Sequence, residues 1–140
     1  MESVDVARKP VPVPDDLSAP FFEGARQGTL MIQRCTACGA HLAPGTRACT
    51  ECLSEALAWV RASGRGTVFT FGVMHQRYHP AFSDEIPYNV AVVELEEGPR
   101  LNTNLVEVRN EDIRVGMAVA VTFERLTDDV SIPKFRPVGG

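Results

Sequence analysis

All four cysteines of this 140-residue chain fall between positions 35 and 52, as Cys35-x2-Cys38 and Cys49-x2-Cys52. A Cys-x2-Cys step lets one tight turn aim two sulfurs at a single point. Two such turns complete a tetrahedral four-sulfur shell, the usual closed environment of structural zinc. Gly39 follows the first pair and Pro44-Gly45 lies between the pairs, which supplies the turn chemistry. His41 lies inside the loop, but four thiolates already fill the shell.

Three readings of the cysteines compete. Closed S4 geometry suits zinc. A disulfide framework needs an oxidising compartment, and nothing in the sequence suggests one. Iron in a redox site is the third: CTACG has the form of a rubredoxin knuckle, whereas CTECL lacks the second glycine. A catalytic zinc is disfavoured, because four thiolates leave no open position. The expectation is one structural zinc held by Cys35, Cys38, Cys49 and Cys52.

Along the chain, residues 1–17 read as an extended arm in which Pro10, Pro12 and Pro14 alternate with valines. It is either an unstructured tail or an arm wrapping a partner. Ser18 can cap a short helix with Pro20 in its first turn and Gly28 as its stop. Phe21 and Ala25 share one face of that helix. Strands are expected at 29–33 and 57–60, the second carrying Trp59, the chain's single tryptophan. The Ser63-Gly64-Arg65-Gly66 breaker sets the boundary between a ribbon unit (18–64) and a second domain (65–140). Beyond it come five β segments: 67–74, 88–96, 101–108, 117–125 and 130–138. Phe69, Phe71 and Val73 alternate in the first, and Met117, Val119, Val121 and Phe123 share a face in the fourth. Five short strands with regular turn signals in about 75 residues suit an OB-type barrel. The predicted fold is therefore mostly β, with an N-terminal helix and zinc ribbon followed by a five-stranded OB-fold barrel.

No residue run approaches the ~20 apolar positions of a membrane-spanning helix, and the first sixteen residues hold acids and prolines without an apolar core, so a soluble, cytoplasmic chain is expected. Between positions 26 and 65 five arginines face two glutamates. Positions 66–140 carry seven bases against eleven acids. The acidic barrel half argues against single-stranded nucleic acid as its ligand, since that mode needs a basic groove with exposed stacking aromatics. The thirteen residues 75–87 form a long connection holding His75, Arg77, Tyr78 and His79, and loops of this length in compact domains are often functional.

The pattern as a whole resembles the DUF35 family. It runs from Phe21-Phe22 through Gly28 and Leu30, QRC-x2-CG, a proline, the second C-x2-C, Trp59 and Gly64-x-Gly66. It continues through Pro87-Tyr88, Val92 and Leu95 before Gly98, Gly116-Met117 and a final Pro133-x-Phe-x-Pro. The stretch before the third cysteine, APGTRAC, departs from the family's usual proline-proline-arginine and aromatic. The resemblance implies a rubredoxin-like zinc ribbon joined to an OB-fold, in a small accessory subunit of thiolase-like enzymes: thiolases, acyltransferases or retro-aldolases. It implies that the partner carries the chemistry and that this chain borders a shared acyl-CoA site.

The residues agree with a non-catalytic role. Thiolase chemistry needs an activated thiolate, and all four thiols are assigned to metal. His75, Tyr78 and His79 are the clustered candidates for proton transfer, and packing or solvation of the loop is the simpler reading of them. Arginine's fixed donor fork matches phosphate, so Arg34, Arg47, Arg61 and Arg65, with His75, Arg77, Tyr78 and His79, are candidate CoA or partner contacts. For each arginine the plainer role is offsetting the anionic S4–zinc site. The alternatives are a stand-alone acyl-CoA-binding or regulatory protein, and a single-stranded nucleic-acid-binding OB protein.

Overall fold

A computed structural model describes residue 15 and residues 17–75 and 87–138. The elements are a helix α1 (Ala19–Arg26) and the strands β1 (Met31–Cys35), β2 (His41–Leu42), β3 (Leu57–Arg61), β4 (Arg65–Met74), β5 (Tyr88–Leu95), β6 (Arg100–Thr103), β7 (Ala118–Arg125) and β8 (Ser131–Pro137). A single 3-10 turn at Asn110–Asp112 lies between β6 and β7.

Ser18 takes the N-cap position of α1, but its hydroxyl points backward. It accepts the Asp15 amide at 3.0 Å and donates to the Asp15 carboxylate at 2.9 Å, while that carboxylate accepts the Ser18 amide at 2.8 Å. The chain is thus pinned before the helix starts rather than capped from within. Pro20 sits in the first turn, where no intrahelical donor is lost. Ala25 is buried and Phe21 packs on the main core, so the expected face is the docking face. It lies against β8, β1 and β7.

The ribbon is an antiparallel sheet ordered β2-β1-β3. Its central strand carries Gln33, a buried polar residue. The Gln33 side chain donates to the Thr46 carbonyl at 3.0 Å and accepts the Thr46 amide at 2.7 Å. This two-point clamp fixes the loop that precedes Cys49, satisfying the amide in the way a neighbouring strand would.

The second sheet is ordered β6-β5-β4-β7-β8, every neighbour antiparallel. It curls so that a parallel bridge joins Leu105, just past β6, to Phe135 on β8 at the far edge. The result resembles an OB-fold half-barrel, as expected. Its core gathers Leu30 and Ile32 from the ribbon side with Val68, Val93, Val119 and Phe135 from the sheet.

Two expectations on this sheet are corrected. Phe69 and Phe71 do not share a face. The pairing of β4 with β5 runs Val68↔Val93 and then Thr70↔Val92, so Phe69 is the extra residue of a β-bulge. Phe71 packs on the core, while Phe69 is 44% exposed with the Arg100 guanidinium 3.7 Å above its ring. The strand expected at 101–108 ends at Thr103. There Asn89 replaces the backbone ladder: its amide group accepts the Leu105 N–H at 2.6 Å and donates to the Leu105 carbonyl at 2.9 Å. The chain can therefore leave the sheet without orphaning buried backbone groups.

Candidate metal centre

β1 delivers Cys35 at its end, and two tight turns do the rest. In the first, the Gly39 amide donates to the Cys35 carbonyl at 2.8 Å. In the second, the Leu53 amide donates to the Cys49 carbonyl at 2.9 Å. These equivalent positions, each one residue past the second cysteine of its pair, both have left-handed backbone: φ is +85° at Gly39 and +68° at Leu53. Glycine accepts that conformation freely. Leucine does not, and Leu53 is also 80% exposed. The missing second glycine noted in the sequence is thus a strained knuckle of the same shape.

The four sulfurs converge, all ligand atoms lying within 4.8 Å of one another. Cys35 Sγ lies 3.6 Å from Cys52 Sγ, and Cys38 Sγ lies 3.6 Å from Cys49 Sγ. Zinc–sulfur bonds of ~2.3 Å in a tetrahedron set edges of about 3.8 Å, so the donor set fits a single zinc. Cys35 and Cys49 are buried, whereas Cys38 and Cys52 face solvent. Backbone amides support the sulfurs: Cys38 N–H donates to Cys35 Sγ at 3.4 Å, and Glu51 N–H to Cys49 Sγ at 3.3 Å. The Cys38 amide is the main influence drawing the Cys35 thiol down to about 6, which favours the metal-binding thiolate. Four protein ligands close the shell, so the ion these cysteines chelate is structural.

The other candidate residues do not assemble into one patch. Arg34 and Arg61 are exposed, and the ribbon register puts them on opposite faces: Arg34 pairs with Ala58, and Arg61 with Met31. An Arg34 guanidinium nitrogen leans over the first knuckle, 3.3 Å from where a Cβ on Gly39 would sit. Arg47 is exposed on the loop before Cys49 and acts electrostatically on Asp15. Arg65 opens β4, and His75 is exposed just past its end. Arg77, Tyr78 and His79 lie outside the described residues.

Sequence reasoning did not single out the polar lining of the half-barrel's open side, a cavity of about 720 Å³. Asn89 donates to Asn110 at 3.3 Å, Asn104 donates to the Asn89 carbonyl, and Lys134 donates to Asn104 at 2.6 Å. Lys134 also pairs with Glu124 at 3.6 Å. These residues are scattered over some 45 positions of sequence, and only strand register brings them together. Asn89, Glu124 and Lys134 lie on strands, whereas Asn104 and Asn110 lie on the connection between β6 and β7.

A rubredoxin-like ribbon set on an OB-like half-barrel defines a class of two-part zinc proteins, and comparison with known proteins places the chain within it. Residues 22–58 match the family model described as the ChsH2 rubredoxin-like zinc ribbon domain, and residues 59–124 match the ChsH2 C-terminal OB-fold domain. The chain belongs to the DUF35/ChsH2 family. It is 41% identical over 131 residues to a probable enoyl-CoA hydratase alpha subunit of Thermomonospora curvata, covering 94% of this chain and 40% of that protein. It is 34% identical over 97 residues to a DUF35 domain-containing scaffold protein of Methanocaldococcus jannaschii, covering 69% of this chain and 68% of the relative. Among solved structures it matches a chain of the Ltp2-ChsH2(DUF35) aldolase with a TM-score of 0.79 and 40% identity, covering 90% of this chain and 98% of that one. The chain spans about two-fifths of the Thermomonospora relative's length. Among the described residues, no helix is long and apolar enough to cross a membrane.

Proposed function

We propose that this chain is a non-catalytic, zinc-containing subunit of a thiolase-like complex acting on an acyl-CoA. It stabilises the catalytic partner and borders the CoA or acyl site. The observation that carries this reading is the convergence of the chain's four cysteines on a single closed cluster. Thioester exchange on a thiolase-like enzyme needs a nucleophilic thiolate, and here every sulfur is placed to chelate one ion, so that nucleophile belongs to another polypeptide. The names of relatives support the same reading: an aldolase complex, a hydratase alpha subunit and a scaffold protein. Residues 18–64 act as the ribbon unit and residues 65–140 as the barrel unit, with Gly64 as the joint.

Arg34, Arg47, Arg61, Arg65 and His75, all exposed, supply partner or CoA contacts from separate faces, together with Arg77, Tyr78 and His79. Four thiols kept available for metal suit a reducing compartment, the cytoplasm. The reading is tested by assaying thioester turnover with the chain alone, with its purified thiolase-like partner alone, and with both. Activity or solubility of the partner rises only in the mixture. Turnover by the lone chain, or titration of a CoA ester into the lone chain with heat of binding, favours the stand-alone acyl-CoA protein instead.

A further inference from the structure

The cavity of about 720 Å³ on the open side of the half-barrel has the volume of a small-molecule site, which runs at roughly 300–1,000 Å³. Part of its wall is the β7–β8 ladder. Thr122 pairs directly with Lys134 and Glu124 with Ile132, so these four side chains leave the same face of the ladder. Another part is the connection between β6 and β7, which brings Asn104 and Asn110. Tyr88, Leu126 and Ile132, all half-buried, add apolar surface. We propose that this cavity binds a neutral small molecule with an apolar body and an amide group, whose carbonyl is taken by Lys134 and the two asparagines.

Two observations select that ligand class. The first is hydrogen-bonding capacity left unspent. The Lys134 ammonium has three donors: one reaches Asn104 Oδ1 at 2.6 Å and one faces Glu124 at 3.6 Å. Asn104 spends one of its two amide hydrogens on the Asn89 carbonyl, and Asn110 spends one of its two on the Pro87 carbonyl at 3.1 Å. Each of the three residues thus keeps one hydrogen without a partner among the described residues. Surplus donors call for an acceptor on the ligand and give an ammonium group nothing to bond. The second observation is charge. The charged residues of the wall are Glu107, Glu124 and Lys134, two acids against one base. An anion meets that excess of negative charge in a partly enclosed site, where it is poorly screened. A neutral acceptor satisfies both conditions. An amide carbonyl is such an acceptor, and the Glu124 carboxylate, with several lone pairs, can take the amide N–H in return. The two asparagines are already aimed: buried Asn89 accepts from Asn104 through its carbonyl and donates to Asn110 at 3.3 Å. Binding therefore orders little that is not ordered beforehand. The inference concerns the chain by itself and does not rest on the subunit reading.

The test is an NMR titration of the full zinc-loaded chain with three probes that share one alkyl tail: N-hexylacetamide, hexanoate and hexylammonium. The neutral amide is expected to shift the Asn104, Thr122 and Lys134 backbone signals saturably and to bind about tenfold more tightly than either ion. Lys134→Met keeps the length of the side chain and removes its donors. It is expected to weaken the amide probe about tenfold while the zinc stays bound. The three-probe comparison needs no variant, so it decides the matter even if Lys134→Met does not fold. The proposal is overturned if either ion binds most tightly, or if all three probes bind alike, which makes the site an unselective apolar groove. It is equally overturned if no probe shifts these signals, or if folded Lys134→Met binds the amide unchanged. Nuclear Overhauser contacts from residues 76–86 to Thr122 and Lys134 before any probe is added overturn it too, because the cavity is then filled by the chain itself.

Discussion

The two ends of β1 are held by different forces. At its entry, Leu30 and Ile32 join Val60 and Ala62 in the apolar core shared with the half-barrel. At its exit, the buried cluster holds just Cys35, Leu42 and Cys49 among the described residues, with Ala40 and Leu57 alongside. The half-barrel shares with the ribbon's base a core of buried apolar residues that runs from Leu30 and Ile32 to Val93 and Phe135, which the hydrophobic effect can hold. The far end of the ribbon does not, and segments of that size usually need a metal or disulfide to fold. Zinc thus replaces a core where the chain has none, and the strained Leu53 knuckle persists because the ion over-determines it.

The largest effect that separates the two regions is metal removal. Zinc binding in structural fingers is worth ~10–16 kcal/mol of apparent free energy. Chelation, or Cys49→Ser, is expected to strip hydrogen-exchange protection from the Cys35, Cys49 and Leu57 amides while those of β4 and β5 stay protected. Ribbon protection that survives chelation breaks the comparison. The converse substitution is Phe135→Ala, at a side chain with no exposed surface. It is expected to cost ~3–5 kcal/mol in denaturant unfolding, with the zinc still bound below the transition. A loss under 1 kcal/mol contradicts the central place given to Phe135.

Gly64 joins the regions, with φ +83°, a carbonyl that accepts the Val121 amide at 2.7 Å, and Val121 Cγ1 only 2.7 Å from where a Cβ would sit. Gly64→Ala is expected to destabilise by about 2 kcal/mol, through left-handed strain and overpacking. A thermal melt checks it. The smallest effect has the opposite sign. Leu53→Gly relieves left-handed strain and is expected to stabilise the ribbon by ~1 kcal/mol. The readout is slower zinc transfer to a chromogenic chelator, and faster transfer contradicts the strain.

Much of this was legible in the sequence because the signals are local. Cysteine spacing announces the cluster, and alternation announces β7, where Val119 is buried and Val121 and Phe123 pack beside it. What was not legible depends on partners far along the chain. Phe69 looks like a core residue until the bulge against Val92 and Val93 turns it outward. The β6 strand looks longer than it is, because Asn89, 16 positions before Leu105, satisfies the backbone that leaves the sheet. Gln33 gives no sign of clamping Thr46, 13 residues on. The four arginines read as a basic cluster in sequence, yet strand alternation sends Arg34 and Arg61 to opposite faces.

With every sulfur engaged by one ion, the chain has no thiolate nucleophile to offer. Native mass spectrometry after brief iodoacetamide treatment tests it directly. The expected result is one zinc per chain with no alkylation at Cys35, Cys38, Cys49 or Cys52, and alkylation at each of them once the metal is chelated. A zinc-loaded chain carrying even one alkylated cysteine, or a folded chain with no zinc, contradicts it.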